Sequence, residues 1–270
     1  MPRRIGFIGL GSMGRPFATN IVQAGFDLFV HDVRPDPVAE LVKLGAHAAS
    51  SAREVAQRAE IVHVAVHDED QVDDVLHGDE GLMAGAHPGL IAVIHTSVHP
   101  VRMQRAAEEL RARGIATLDA QMSGGVGGVV NRKMCLMVGG DPAVLEQCRP
   151  VLETTASSIY LMGDVGMGAV TKIAQNMMTA TYLMASMEGF RIAEKAGVDL
   201  EVFQEVVRTS SAQSYVADKY LKEWGDREAR WMYHQVLWDA LDLAHTYDVE
   251  LPGAATCLQA LAHGLLKAAP

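Results

Sequence analysis

The chain has 270 residues, 49% of them apolar and 21% charged, and a formal net charge of −10. That length suits two domains and that apolar share a sizeable core, which excludes a disordered chain; an acidic balance without any basic run excludes nucleic acid and anionic membrane as partners. No stretch is long and apolar enough to span a bilayer, strand pattern starts too early for a signal peptide, and Cys135, Cys148 and Cys257 are widely spaced without a CxxC, so buried thiols in the cytoplasm are expected.

The first pattern is the most informative. Ile5 to Ile8 reads as a buried strand and runs into Gly9-Leu10-Gly11-Ser12-Met13-Gly14, and Arg15 to Val22 then has helical apolar spacing. Strand, glycine turn and helix follow in the order of a dinucleotide site. Gly9 permits the tight turn, Gly11 lets a pyrophosphate approach the backbone, and Gly14 lets helix and strand pack closely, with the positive end of the helix facing the phosphates. A second strand, Asp27 to His31, ends at Asp32, whose carboxylate can accept hydrogen bonds from an adenosine ribose. A plain structural turn that binds nothing is the competing reading.

Helix and strand patterns alternate from there. Helices are expected over Pro37–Gly45, Ala52–Ala59, Asp70–Leu76, Val101–Arg113 and Pro142–Leu152. Strands are expected over Ala46–Ala49, Ile61–Val66, Leu90–Ile94, Ile115–Asp119, Met134–Val138 and Ile159–Leu161. The reading is an α/β fold, a doubly wound parallel sheet, with ligands at the carboxyl ends of the strands. Val66, His67, Thr96 and Ser123-Gly124-Gly125 fall at such ends. After Gly163 only helical patterns remain, beginning with an Ala- and Met-rich segment from Gly166 to Ala196 and continuing over Leu200–Val207, Tyr215–Trp224, Trp231–Tyr247 and Ala254–Leu266. The expected division is residues 1–163 and an all-helical 164–270, joined by the long helix.

That helix carries Lys172, Gln175, Asn176 and Thr179 at i, i+3, i+4 and i+7, a polar line on an otherwise apolar element. A solvated stripe would explain it. However, a single amine among amides and hydroxyls also suits a lysine whose pKa is lowered by desolvation, able to exchange a proton with a substrate hydroxyl while a hydride moves. Asp119-Ala120-Gln121-Met122-Ser123-Gly124-Gly125 opens a strand end into a small-residue turn, where Ser123 and flexible backbone N–H groups can cup a carboxylate, or simply turn the chain.

These residues resemble the β-hydroxyacid dehydrogenases, which include 3-hydroxyisobutyrate dehydrogenase and tartronate semialdehyde reductase. The likeness lies in Gly6-Phe7-Ile8-Gly9-Leu10-Gly11-Ser12-Met13-Gly14-Arg15-Pro16, in Asp119-x-x-x-Ser123-Gly124-Gly125, and in Gly163-x-x-Gly166-x-Gly168-x-x-x-Lys172-x-x-x-Asn176. The resemblance implies a Rossmann domain and a helical domain, and NAD or NADP as cofactor without a metal. It implies Lys172 as general acid/base, and Asn176, Ser123, Gly124 and Gly125 on a small carboxylate substrate. It further implies Thr96 at the cofactor and a homodimer or homotetramer.

The chain also departs from the family pattern. Gln121 and Met122 stand where proline and valine are usual, and Gln121 is expected to offer its amide to a substrate group. Arg132 and Lys133 replace a glycine and a threonine, and His67 a proline. A late family lysine on the cofactor side falls on Gln235, counted back from Pro252. Trp231, Tyr233 and Trp238 around it could line a pocket or pack a core. The i, i+4 pairs His63/His67 and His95/His99 have no carboxylate partner in the sequence, so no metal site is expected. Asp32 favours NAD because it repels a 2′-phosphate, while Arg34 beside it leaves NADP open. The reading is hydride transfer between NAD(P) and a small 3-hydroxy acid or its semialdehyde. A reductase of another carbonyl or an imine, and a nucleotide-binding regulator without turnover, are the alternatives.

Overall fold

A run of buried apolar residues makes β1 (Arg4–Ile8) a central strand, and every other strand is laid down from it. In chain order follow α1 (Gly14–Gln23), β2 (Asp27–His31), α2 (Pro35–Lys43), β3 (His47–Ala48), α3 (Ala52–Arg58) and β4 (Ile61–Val64). Next come α4 (Glu69–Leu76), a 3₁₀ turn at Leu82–Gly85, β5 (Ile91–Ile94), α5 (Pro100–Arg111), β6 (Ala116–Ser123) and α6 (Gly125–Val130). β7 (Met134–Gly139), α7 (Pro142–Leu152) and β8 (Ala156–Gly163) complete an eight-stranded sheet of order β3-β2-β1-β4-β5-β6-β7-β8. The helical remainder is α8 (Met167–Lys195), α9 (Leu200–Thr209), α10 (Tyr215–Asp218), a π-type turn at Tyr220–Trp224, α11 (Arg230–Tyr247) and α12 (Pro252–Ala262). The computed structural model describes residues 3–224 and 230–262. Contacts divide the chain into two units, Met1–Lys172 and Ile173–Pro270.

The sheet differs from the expected parallel one at a single place, where β6 and β7 pair antiparallel with Ser123 opposite Cys135. The ten residues 124–133 between these strands hold one short helix. A parallel return needs a crossover of a dozen residues or more, so this connection can only double back. β6 also runs on to Ser123, and β8 has eight residues where three were expected. The segment read as one helix from Tyr215 to Trp224 is α10 followed by the π-type turn.

Apolar side chains cover both faces of the sheet. Phe7, Phe17, Ile21, Leu28, Val30 and Leu118 pack one layer; Ile8, Val55, Val62, Val64, Leu76, Ile94 and Met103 pack the other. The first layer holds a polar exception. His63 on β4 and His95 just past β5 lie 2.8 Å apart, Nδ1 to Nε2, and their stacked rings lie against Phe7. His95 Nδ1 is 2.8 Å from the Ala120 carbonyl oxygen, which can only accept, so His95 carries its proton there and accepts from His63 Nδ1–H. Both rings are neutral: burial holds His63 well below the usual range, helped by the neighbouring His95, and burial takes His95 down to about 4. The sequence pairs His63/His67 and His95/His99 thus give way to a cross-strand pair.

In the second unit, Ala180, Leu183, Met187 and Phe190 of α8 pack with Tyr220, Tyr233, Leu237 and Cys257. Phe190 stacks on Tyr220 at 4.4 Å and meets Phe203 edge-on at 5.0 Å. Asp199 caps α9, its side chain accepting from the backbone N–H of Glu201 and Val202.

Candidate active site

The glycine turn is shaped by what surrounds it. A Cβ on Gly14 would overlap the Gly9 carbonyl, and one on Gly9 would overlap Ala65, whereas one on Gly11 would meet nothing within 4 Å. Gly9 and Gly14 therefore close the turn against the sheet, and Gly11 stands open to a cleft. Gly9 has φ +90°, a left-handed conformation that only glycine adopts without strain. Met13, the N-cap of α1, offers no side-chain cap and the first turn has no acidic residue; Arg15 N–H donates to the Gly11 carbonyl at 3.1 Å, which leaves the Met13 and Gly14 N–H groups for an anion.

The cleft has a volume of about 1430 Å³, and Gly9, Gly11, Ser12, Met13, Gly14, Asp32, Val66 and His67 all line it. Two further residues expected at the cofactor stand behind its wall. Leu10 donates its backbone N–H to Asp32 at 2.6 Å. The Thr96 hydroxyl accepts from the Val66 N–H at 3.0 Å and lies 3.1 Å from the Val66 carbonyl, pinning the end of β4. The open approach at Gly11, the uncapped helix and the carboxylate at the end of β2 fit a dinucleotide.

Asp32 is held by the chain itself. Arg34 donates Nε at 3.0 Å and its backbone N–H at 2.9 Å to one carboxylate oxygen, and its Nη2 reaches the Leu10 carbonyl at 3.2 Å. Burial alone would raise the Asp32 pKa; the bonds from Arg34 and Leu10 outweigh it and leave the carboxyl below its usual value. Arg34 thus screens the carboxylate that a ribose would use.

The other cluster lies along β6, β7 and the start of α8. Ser123 ends β6, and Gly124 (φ +130°) and Gly125 (φ +61°) turn the chain into α6. Cys135, the cross-strand partner of Ser123, interacts electrostatically with Lys172. Burial lowers Lys172 from its ordinary 10.5 to about 8, with Cys135 acting weakly the other way. Cys135, with its thiol raised by burial, is neutral near neutral pH, so its influence on Lys172 is small beside desolvation. Asn176 lies one turn beyond Lys172 on α8, and Gln175 donates to Thr179 at 3.0 Å.

Other expected residues take different positions. Gln121 turns inward and is fully buried, donating to the Thr96 carbonyl at 3.1 Å and accepting from Ser97 at 3.3 Å. It braces two strand ends. Arg132 swings back to α1, donating to Asn20 at 3.4 Å and Gln23 at 3.1 Å. Gln235 on α11 donates to Asp239 at 2.7 Å. Tyr233 is a core residue and Trp238 is exposed, while the Trp231 side chain lies outside the described residues. No group of three or more His, Cys, Asp or Glu side chains could hold a metal among the described residues.

Sequence reasoning placed Asp119 at the head of the substrate-turn motif but gave it no role. It is fully buried and accepts from the backbone N–H groups of Gly166 at 2.9 Å and Ala169 at 2.7 Å. A signal was present, because an aspartate in the middle of a buried strand needs a partner.

A Rossmann sheet with an open glycine turn, a carboxylate closing β2 and a desolvated lysine near a small-residue turn defines an NAD(P)-dependent oxidoreductase. Residues 4–163 match the NAD binding domain of 6-phosphogluconate dehydrogenase, and residues 166–268 match the NAD-binding domain of NADP-dependent 3-hydroxyisobutyrate dehydrogenase. The chain belongs to the β-hydroxyacid dehydrogenase family. It is 34% identical over 264 residues to the 2-hydroxy-3-oxopropionate reductase of Escherichia coli K12, covering 94% of this chain and 88% of that one. It is 34% identical over 218 residues to the NAD-dependent L-serine dehydrogenase of Pseudomonas aeruginosa, covering 81% and 73%. Its fold matches a Mycobacterium tuberculosis 3-hydroxyisobutyrate dehydrogenase structure with a TM-score of 0.86 at 24% identity, over 100% of this chain and 96% of that one.

Proposed function

We propose that this enzyme interconverts a small 3-hydroxy acid and its aldehyde or ketone, with Lys172 as general acid/base and NAD as the preferred cofactor. The single observation that carries the reading is Lys172, an amine brought by burial to about 8, where it can both accept and return a proton near neutral pH. In the oxidative direction the neutral amine takes the hydroxyl proton; in the reductive direction the ammonium returns it. The cofactor, when bound, takes up or supplies the hydride. Ser123 with the N–H groups of Gly124 and Gly125 holds the substrate carboxylate, and Asn176 orients the substrate beside Lys172. Gln121 supports the site by bracing Thr96 and Ser97.

Preference for NAD follows from Asp32, which repels a 2′-phosphate; Arg34, paired with that carboxylate and the Leu10 carbonyl, weakens the repulsion and leaves NADP as the alternative. Gly9, Gly11 to Gly14, Val66 and His67 form the cofactor wall, Leu10 and Thr96 support it from behind, and Gln235 takes the place of the family lysine. We assign nucleotide binding to residues 1–163, and substrate binding and dimerisation to residues 164–270. A homo-oligomer is favoured by Met178, Tyr182 and Ile192, exposed apolar residues of α8. Cytoplasmic residence is favoured by three free thiols. Among the described residues no helix is long and apolar enough to cross a membrane.

The test is NAD reduction against a panel of 3-hydroxy acids, with Lys172→Ala beside the unaltered enzyme and solution mass measured on the same preparations. We expect turnover that falls by about 10²–10⁴-fold in the variant, and a mass that is a multiple of 29.1 kDa. Full turnover in Lys172→Ala would remove the lysine from the chemistry. Tight NAD binding with silence across the panel would shift the weight to another substrate or to a regulator.

A further inference from the structure

Lys172 is useful only if its amine stands at a fixed distance from the substrate turn, and that distance has to be set by something rigid. Ser123 closes β6, Lys172 sits near the start of α8, and the buried Asp119 links the two elements. Asp119 stands four residues before Ser123 on β6, and one of its oxygens accepts from Gly166 N–H and the other from Ala169 N–H. These donors bracket the first turn of α8, and Lys172 follows Ala169 by three residues, just under one turn. The same oxygens are enclosed by glycine. A Cβ on Gly139 would overlap Oδ1, and a Cβ on Gly168 would approach Oδ2 to 2.6 Å and the Asp119 carbonyl to 2.8 Å.

The geometry points to Asp119 as the positioning residue that joins the substrate-binding strand to the lysine-bearing helix. The chemistry of the joint demands a carboxylate. Both oxygens face backbone donors, so an asparagine would set its own N–H₂ against an N–H group wherever the amide is turned. A glutamate would not fit between Gly139 and Gly168. Burial is the main influence on this carboxyl and raises it to about 6, and the N–H groups of Gly166, Ala169 and Gly168 pull in the opposite direction. With both oxygens occupied by backbone donors at the positive end of a helix, the carboxylate is placed to hold that helix start.

The inference rests on Lys172 being the proton carrier, so its test needs a readout independent of turnover. Reductive methylation of Lys172, followed by mass spectrometry across pH, reports how the amine is held and solvated. It is measured on the full chain in the unaltered protein, Asp119→Asn and Gly168→Ala, beside NADH binding and thermal unfolding. The unaltered protein is expected to label with a midpoint near 8. In both variants the midpoint should rise by about one unit as the helix start loosens and water reaches the amine. NADH affinity, set at the glycine turn, should stay within about twofold, while turnover falls by about two orders of magnitude. A folded Asp119→Asn protein with an unchanged labelling midpoint and near-normal turnover overturns the assignment. Loss of the fold in both variants also overturns it, since the carboxylate would then support the whole sheet rather than one amine. If Lys172→Ala keeps full activity while the labelling shift is observed, the proton-carrier reading fails and the joint stands.

Discussion

Lys172, the proton carrier in the proposed function, is an ordinary lysine whose surroundings change its chemistry. Its polar neighbours on α8 were legible from their spacing, but the spacing alone suited a solvated stripe equally well. Desolvation separates the two, lowering the amine from 10.5 to about 8. The sign of the effect fixes the pH behaviour. Oxidation needs the neutral amine, so its kcat/KM should climb with pH below about 8 and level off above. Reduction needs the ammonium, so its kcat/KM should hold below about 8 and fall above. Rate profiles measured in both directions check this, and parallel profiles in the two directions would rule it out. Arg132 and Gln121 teach the opposite lesson. Gln121 is expected from sequence to reach a substrate and Arg132 stands where the family has a glycine, yet each is taken up by the fold, Arg132 by α1 and Gln121 by the ends of β5 and β6.

At the scale of elements, the β1–α1 turn separates two uses of glycine that the sequence motif presents as equal. Gly14 is needed for packing, because a Cβ there would overlap the Gly9 carbonyl; a Cβ on Gly11 meets only open cleft, the side from which the proposed pyrophosphate approaches. Gly14→Ala should therefore lower stability by about 1–3 kcal/mol, the usual cost of overpacking, seen as a drop in Tm. Gly11→Ala should melt like the unaltered protein and lose NADH affinity by tenfold or more, about 1.4 kcal/mol, in a fluorescence titration. Equal effects of the two substitutions on Tm would contradict the distinction. Most elements were legible, since β1, β4 and β5 are apolar runs and Pro and Asp mark the start of α7. The antiparallel β6–β7 pair was not, because strand direction depends on the length and course of the connection rather than on strand composition.

Across the whole molecule, buried titratable groups set the response to acid. His63 and His95 are neutral in the fold and have depressed pKa values, His95 at about 4 against an ordinary 6.5. The folded state therefore binds fewer protons than the unfolded chain between those values. The stability they allow is complete above 6.5 and falls as pH drops towards 4. Each contributes a slope of about 1.4 kcal/mol per pH unit in that window. Asp119 acts in the opposite sense, its raised pKa of about 6 favouring the protonated fold on acidification towards 3.8, so it offsets one of the two histidines. Tm should thus decline steadily below pH 6.5, and the decline should be shallower in the double variant His63→Leu/His95→Leu. An equally steep decline in that variant would assign the acid sensitivity elsewhere.

Local pattern and composition alone specified the glycine turn, Asp32, the alternation of strands and helices, the long helix and the polar line through Lys172, because each is encoded in residues near one another in the chain. Only the tertiary structure decided which of these residues meet. It set Arg34 on Asp32, closed Gln121 into the wall behind the cleft, paired His63 with His95, and tied Asp119 to the first turn of α8. These outcomes depend on burial and on contacts between residues far apart in sequence, and desolvation, which sets the chemistry of Lys172 and Asp119, exists only once the chain has packed.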